Sequence, residues 1–335
     1  MLRIGWLELP ENITEDNWQI SGGMSYRRHL YDILSPKYEL ESMRIGGGIL
    51  SRSIIKNLYR SLTLNKRKDI WIREINSTIL PIRNTVGANV LLFHHLGGSI
   101  PTGWHWLNKI LESSFFWNLK RIDVIVTVSQ YWKEYFLKKG YSNVRIIYNP
   151  FDAEKFYFAA EEVDQFKERY QLLGKPIVYI GNCQKWKGVI ESHEALKDLD
   201  AHIITSGKKT VDLPCRNLNL DYQDYLRLLR ASSVVVTMSK FHEGWCRTAH
   251  EAMLCKTPVV GSGLGGMREL LIGGGQIVSG FDNLKNNVEF LIEHRDIGED
   301  GFHFAKQFTI EKFEREWIKL ISDLAGNRQS SDYIG

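Results

Sequence analysis

The most informative segment of the chain reads Phe241-His242-Glu243-Gly244-Trp245-Cys246-Arg247-Thr248-Ala249-His250-Glu251-Ala252-Met253. A β-branched run at 234–237 precedes it and a helical pattern follows, which predicts a strand-to-helix turn carrying Glu243 and Glu251. The first N–H groups of a helix have no intrahelical partner and carry partial positive charge, so such a turn favours phosphate. We interpret the segment as an anion-binding turn with a carboxylate at each end.

The same residues allow a purely structural interpretation. Thr248 and Glu251 have the spacing of a capping box, in which the two side chains satisfy the helix terminus without any ligand. Glu243 would then be a solvated loop residue. The two interpretations differ in whether the carboxylates serve a ligand.

The wider sequence resembles a known family. The run E-G-W-C-R-T-A-H-E-A-M, followed by T-P-V-V and then G-G-M-R-E, is similar to the E-x(7)-E signature of the retaining glycosyltransferases of family 4. Two other segments agree with that family: Asn149-Pro150-Phe151-Asp152 resembles its interdomain segment, and Ile177–Gly181 with Lys187-Gly188 resembles a strand and turn of its second domain. The resemblance covers roughly residues 120 to 275.

The resemblance implies an α/β architecture called GT-B, with two Rossmann-like domains facing each other across a cleft. Alternation of β and α patterns along the chain independently favours parallel sheets covered by helices. We expect an N-terminal, acceptor-side domain over 1–152, completed by a C-terminal helix at about 312–330. The nucleotide-sugar-binding domain would span 153–311.

The resemblance also implies roles for individual residues. Glu251 would accept hydrogen bonds from ribose hydroxyls, Glu243 would contact the transferred sugar, and Lys187 would neutralise the diphosphate. The catalytic residues expected are Glu243 and His94. The donor-binding residues expected are Glu251, Lys187, Asn182, Gly22, Gly23, Gly244, Trp245, Cys246 and Arg247.

One position departs from the family pattern. An arginine usually follows the glycine that matches Gly181, where it contacts phosphate, but this chain has Asn182 there. An amide donates hydrogen bonds but carries no charge. We hypothesise that Lys185 or Arg247 supplies the missing cation, whereas an arginine in a surface loop would need no such role.

The first half of the chain supplies candidates for the other side of the reaction. Gly22-Gly23 opens a helix after the first strand, and His94-His95 follows the strand predicted at 88–93. Ligands bind at the carboxyl ends of parallel strands, so either histidine could face the transferred sugar, and the family pattern favours His94. The residues expected on the acceptor or membrane side are His95, Arg52, Lys56, Arg60 and Trp104.

Composition sets the broad class. A chain of 335 residues with 43% hydrophobic residues is long enough for two globular domains. No apolar run approaches the ~18 residues that span a bilayer, and the charged N-terminus does not resemble a secretory signal. The four cysteines lack metal-ligand or disulfide-rich spacing. We therefore expect a cytoplasmic protein, with peripheral attachment to the inner face of the membrane as a further expectation.

Charge is distributed unevenly. Residues 1–150 hold 20 Lys and Arg against 12 Asp and Glu, whereas residues 151–335 hold 23 against 27. Basic residues concentrate between Arg44 and Arg73, which is typical of a surface that attracts anionic lipid or phosphate, or of a solvated helix face. The aromatic run from Trp104 to Trp117 is interpreted as core, with acceptor stacking or a membrane interface as the alternative. Nucleic acid is not an expected partner, because no recognised motif accompanies the charge.

The function expected is transfer of a sugar from a nucleotide-diphosphate-sugar donor to a glycan or lipid-linked acceptor, with retention of anomeric configuration. The products would belong to surface polysaccharide or glycolipid synthesis. We expect no metal, and no cofactor beyond the donor substrate. The alternatives are a nucleotide-sugar epimerase on the same fold and a catalytically weak scaffold or binding protein.

Overall fold

The computed structural model describes residues 1–7, 22–43, 68–80, 82, 87–96 and 105–331. Contacts divide the chain into two compact units. Unit 1 consists of Met1–Val128, Trp132–Pro150 and Ile310–Gly335, and unit 2 of Ser129–Tyr131 and Phe151–Thr309.

Unit 1 is built on a parallel six-stranded sheet with the order β2-β1-β3-β4-β5-β6. Its strands are β1 Arg3–Leu7, β2 Glu39–Met43, β3 Ile70–Arg73, β4 Ala88–Phe93, β5 Val124–Thr127 and β6 Val144–Ile146. Its helices are α1 Gly22–Leu34, α2 Ile75–Ile79, α3 His105–Leu119, α4 Gln130–Lys138 and, at the end of the chain, α12 Ile310–Ser331. The first two residues of α4, Gln130 and Tyr131, cluster with unit 2. Strands β3, β4 and β5 are buried along their whole length, as expected when helices cover both faces of a parallel sheet.

The last helix, α12, is part of this core. The Trp317 indole N–H donates to the Tyr26 hydroxyl at 3.0 Å, and that hydroxyl donates to the Ile147 carbonyl at 3.1 Å. Phe313 packs edge-on against the Tyr26 ring. An indole and a phenol can be buried this deeply because their polar atoms bond to each other and to the backbone.

Unit 2 contains a second parallel six-stranded sheet, with the order β12-β11-β10-β7-β8-β9. Its strands are β7 Ile177–Asn182, β8 His202–Ser206, β9 Arg216–Leu218, β10 Val234–Thr237, β11 Val259–Gly261 and β12 Ile277–Val278. Its helices are α5 Ala160–Arg169, α6 Val189–Leu196, α7 Tyr222–Ala231, α8 Arg247–Leu254, α9 Met267–Gly273, α10 Leu284–Glu293 and α11 Ile297–Ala305, with short 3-10 turns at Ala153–Phe156, Lys185–Lys187 and Phe281–Asn283. The expected fold class, α/β with two Rossmann-like parallel sheets, is confirmed.

Three sequence-based expectations on unit 1 need correction or lie outside the described residues. The apolar pattern of residues 69–75 predicts a strand that ends at Ile75, but Ile75 begins α2, whose first turn is held by reciprocal bonds between Glu74 and Ser77. Lys68 and Arg73 are buried, so they do not belong to an exposed basic surface: Lys68 pairs with Glu41 at 2.9 Å. The rest of that basic stretch, including Arg52, Lys56 and Arg60, lies outside the described residues, and so does Trp104.

The aromatic run before β5 is only partly core. Phe115 is buried against Phe93, whereas Trp117 is 64% exposed and lies beneath the Lys120 ammonium. Among the described residues, no helix is both long and apolar enough to cross a membrane.

A buried histidine ties α8 to the end of unit 2. The His250 Nδ1 atom accepts from the Trp245 indole at 2.9 Å, so its Nε2 carries the proton and donates to the Ala305 carbonyl at 3.1 Å. The Phe151 ring stacks on the imidazole at a centroid distance of 3.8 Å. Burial lowers the pKa of His250 to about 3, with the Arg247 charge acting in the same direction and the bond to Ala305 opposing it.

This histidine predicts a pH dependence of stability. Unfolded chains bind a proton to histidine below about pH 6.5, but folded His250 stays neutral until about pH 3, so stability falls as the pH drops through this window. We expect His250→Gln to flatten the fall in unfolding free energy between pH 6.5 and 4 by up to ~1.4 kcal/mol per pH unit. Urea titrations at several pH values measure this slope, and His303→Gln, at an exposed position, controls for loss of one histidine. An unchanged slope in His250→Gln would show that the dependence arises elsewhere.

Candidate functional site

The loop between β10 and α8 is fixed in unit 2 by a glycine-rich segment. The Glu243 N–H donates to the Leu264 carbonyl at 3.2 Å, and the Gly266 N–H donates to the Glu243 carbonyl at 2.9 Å. Gly265 has a φ of +70°, and a Cβ there would lie 2.4 Å from the Glu243 carbonyl oxygen. Only glycine suits this close approach, so the position of Glu243 depends on it.

Glu243 is buried and held by two side chains. The Lys187 Nζ and the Ser239 hydroxyl each donate to its Oε1 at 2.6 Å. Burial opposes the charge on Lys187, but the adjacent Glu243 outweighs it, so the pKa of Lys187 is raised. The ammonium also lies 5.1 Å from the centre of the Phe241 ring. The structure thus joins Lys187, which follows β7, to Glu243, which follows β10.

Glu251 occupies a second polar cluster, one turn into α8. Its Oε1 accepts from the Tyr222 hydroxyl at 3.2 Å and from the Arg247 guanidinium at 2.6 and 3.1 Å, while Oε2 accepts from the Tyr225 hydroxyl at 3.0 Å. Burial, reinforced by the Glu251 charge, raises the pKa of both tyrosines, so their hydroxyls remain protonated donors. The Arg247 guanidinium also lies 5.0 Å from the centre of the Phe151 ring.

The capping-box alternative for Glu251 is wrong. Helix α8 begins at Arg247, its N-cap residue is Cys246, and no side chain caps it. Cys246 has a φ of +72°, a left-handed conformation that sets the direction of the helix. Thr248 is therefore already inside the first turn, and Glu251 is engaged by tyrosine and arginine instead.

A small cavity of about 20 Å³ lies where these elements meet. It is lined by the end of β7, the end of β10 and the start of α8, with Asn182, Lys187, Thr237, Ser239, Cys246 and Thr248 among its residues. Burial and the Glu243 charge raise the pKa of the Cys246 thiol to about 12, which excludes it as a thiolate nucleophile near neutral pH. The cavity brings together Asn182, Lys187 and Cys246 of the expected donor-side residues.

Other expected residues of the segment belong to the interior. The Trp245 side chain is buried and its indole N–H bonds to His250, while the Gly244 carbonyl packs against Gly266. Sequence reasoning missed the residues that bond to the two carboxylates and to Asn182 from other elements. They are Ser239, which bonds to Glu243, Tyr222 and Tyr225, which bond to Glu251, and Tyr179 and Ser206, which bond to Asn182. Only the i, i+3 spacing of Tyr222 and Tyr225 is visible in the sequence, and it does not identify their partner.

In unit 1, His94 directly follows β4. Its Nε2 atom is buried and makes no hydrogen bond to any residue in the described part of the chain. Burial lowers the pKa of His94 well below its usual value, and the charges of Arg27 and His95 act in the same direction. Gly23, near the start of α1, lies against the same ring, and a Cβ there would approach it to 3.6 Å. His94 and Gly23 are thus neighbours, and the imidazole is neutral.

Within the described ranges, no three histidine, cysteine, aspartate or glutamate side chains are grouped so that they could hold a metal ion. Two carboxylate–cation pairs are found in this part of unit 2: Lys187, which lines the cavity, pairs with Glu243, and Arg247 pairs with Glu251.

Comparison with known proteins agrees with this architecture. The chain is 26% identical over 235 residues to an uncharacterised glycosyltransferase of Methanocaldococcus jannaschii, an alignment covering 61% of this chain and 59% of that relative. Trehalose synthase of Thermococcus litoralis is 34% identical over 100 residues, or 28% of this chain and 24% of that protein. The chain therefore spans about three fifths of the length of the Methanocaldococcus jannaschii relative.

Solved structures show the same fold. Sucrose-phosphate synthase from Thermosynechococcus elongatus superposes with a TM-score of 0.79 at 15% identity, over 98% of this chain and all of that one. HepE of Anabaena, crystallised with UDP and glucose, superposes with a TM-score of 0.72 at 16% identity, over 96% of this chain and all of that one. These likenesses establish the GT-B fold.

The family model described as glycosyl transferases group 1 matches residues 161–330, which include the whole E-x(7)-E segment and the lysine that pairs with it. By that match, the chain belongs to the glycosyl transferases group 1 family.

Proposed function

We propose that this protein is a retaining, metal-independent glycosyltransferase that moves a sugar, of hexose type, from a nucleotide-diphosphate donor to a glycan or lipid-linked acceptor. The observation that carries the proposal is the meeting, at one cavity, of Lys187, which is bonded to Glu243, and the start of α8, whose N-cap side chain makes no capping bond. A helix start and an ammonium ion suit a phosphate group, and carboxylates suit sugar hydroxyls. Support also comes from HepE, a protein of the same fold that has been crystallised with UDP-glucose.

In the proposed reaction, the bond between the anomeric carbon and the leaving phosphate oxygen breaks. The acceptor hydroxyl oxygen bonds to that carbon on the same face, and its proton passes to the departing phosphate. Negative charge grows on the diphosphate, so the main task of the protein is to stabilise it. Lys187 and the α8 N–H groups would do this, while Glu243 orients the sugar and Glu251 holds the ribose. Neutral His94 would contact the sugar from the acceptor side.

We further propose that the acceptor belongs to surface polysaccharide or glycolipid synthesis and that transfer takes place at the cytoplasmic face of the membrane. A lipid-linked acceptor would require the protein to approach a bilayer surface. Binding of the protein to vesicles that carry the acceptor tests this part separately from the chemistry.

The donor is best found by thermal stabilisation. A ligand that binds only the folded state at 100 times its Kd stabilises it by ~2.7 kcal/mol, so a panel of UDP, GDP, ADP and their glucose conjugates should include at least one that raises Tm. Lys187→Ala should lose this shift, whereas Lys197→Ala, which removes an exposed lysine paired with Glu194, should keep it. Release of nucleoside diphosphate and NMR analysis of the product then distinguish transfer with retention from epimerisation. No shift with any member would contradict the proposal.

The two carboxylates should differ in their kinetic effects. Glu243→Gln keeps the shape of the side chain but removes its charge, so we expect a lower kcat with little change in the donor KM. Glu251→Gln should weaken the free energy of donor binding by ~1–3 kcal/mol, because its hydrogen bonds to the ribose hydroxyls are weaker. The glutamine variant is preferred to alanine because Glu251 anchors three partly buried partners, Tyr222, Tyr225 and Arg247. Steady-state kinetics and calorimetry test the assignment, and the opposite pattern would refute it.

Arg247 tests whether a cation compensates for Asn182. Arg247→Ala should weaken donor binding about tenfold, while Arg247→Lys, which keeps the charge, should recover most of the affinity. Arg216→Ala, on the edge strand β9 and exposed, provides the control. If Arg247→Ala binds the donor as the unmodified protein does, Arg247 serves only to pair with Glu251.

A further inference from the structure

The last residue of β7, Asn182, is held by two hydroxyl groups. Its Oδ1 lies 3.1 Å from the Tyr179 hydroxyl oxygen and 3.2 Å from the Ser206 hydroxyl oxygen, and the two hydroxyl oxygens are 2.7 Å apart. Tyr179 and Ser206 are buried, whereas Asn182 is exposed. A buried pair of hydroxyls on β7 and β8 thus supports one amide at the surface of unit 2.

This arrangement fixes which end of the amide faces outward. The two hydroxyls carry two protons, and their mutual hydrogen bond can use only one of them, so the second needs an acceptor. Oδ1 provides it; with the amide turned over, one buried hydroxyl proton would have no partner. Burial also raises the pKa of Tyr179, which keeps its proton in place.

The opposite end of the amide is available to a ligand. In the described part of the chain, no residue accepts a hydrogen bond from the Asn182 Nδ2, and Asn182 lines the cavity that also contains Lys187 and Cys246. Lys187, which lines the cavity, already pairs with Glu243, and Arg247, at the start of α8, already pairs with Glu251. The Asn182 side chain is therefore a neutral, oriented hydrogen-bond donor at a place where more anion-binding capacity is needed.

We propose that Tyr179 and Ser206 are positioning residues that aim the Asn182 N–H group at a phosphate oxygen of the donor. The inference rests on the proposed function, because it concerns how the same site recognises its ligand. Recognition at this position would come from the direction of a hydrogen bond, set from behind by the hydroxyl pair, and not from added positive charge.

The test compares a nucleoside diphosphate with its own nucleoside. The probes are UDP and uridine. If the unmodified protein binds GDP or ADP more tightly than UDP, that diphosphate and its own nucleoside are used instead. Loss of a hydrogen bond to phosphate should lower the affinity for the diphosphate alone, whereas damage to the whole fold of unit 2 should lower the affinity for both probes. Calorimetric Kd values for the two probes therefore distinguish positioning from a merely structural role.

We expect Asn182→Asp, which places a carboxylate oxygen where the N–H lies, to weaken UDP binding at least tenfold and to leave uridine binding unchanged. Ser206→Ala and Tyr179→Phe should each weaken UDP binding about three- to tenfold. The double variant that combines Ser206→Ala with Tyr179→Phe should bind UDP no more weakly than Asn182→Ala does, because all three residues act through one contact. Ser206→Thr, which keeps the hydroxyl, should restore affinity.

Matched controls are Ser232→Ala and Tyr170→Phe, which remove a buried serine hydroxyl and a tyrosine hydroxyl elsewhere in unit 2. The inference is overturned if UDP binds and the Ser206 and Tyr179 variants match these controls, or if they weaken UDP and uridine equally. If the unmodified protein binds none of the diphosphates, the proposed function itself fails, and the inference fails with it.

Discussion

The hydrogen-bonded ion pair between Lys187 and Glu243, 2.6 Å from nitrogen to oxygen, is the interaction on which the site depends. A buried carboxylate without a partner would cost several kcal/mol, so Glu243 can be buried only because Lys187 and Ser239 satisfy it. The loop that carries Glu243 is fixed in turn by the close approach of Gly265. Backbone packing sets the position of the carboxylate, and the lysine supplies the cation that pairs with it.

The seven residues between the two carboxylates serve mainly the interior of unit 2. Trp245 and His250 form a hydrogen bond to each other, and the second imidazole nitrogen bonds to Ala305 near the end of the unit. Because this pair fastens the first turn of α8 on its inner side, the opposite side of the turn is free to face the cavity. The E-x(7)-E spacing thus combines an outer side that faces the cavity with an inner structural one.

The sequence predicted the long, strongly patterned elements well. Strands such as Val234–Thr237 and Ala88–Phe93 were placed correctly because continuous β-branched or apolar runs are typical of fully buried strands. Short elements were missed: β9 Arg216–Leu218 has too few residues to show a period, and α9 Met267–Gly273 follows glycines that suggest a turn. Glu251 shows the same limit, since Tyr222 and Tyr225 lie 29 and 26 residues away and only tertiary structure brings them to it. Local spacing favoured a capping box, but these distant partners engage the carboxylate instead.

The strand order of unit 2 has a consequence for how its specificity can change. From β7 the chain proceeds outward to β8 and β9, then returns to β10 on the other side and continues to β11 and β12. The connections after β7 and β10 therefore leave toward opposite faces, and a crevice opens between them at the topological switch point of the sheet. Lys187 follows one of these strands and Glu243 the other. The crevice arises from the winding of the chain. Loop residues around it could therefore change, and with them the sugar or base of the proposed donor, while the hydrophobic layers beneath remain intact.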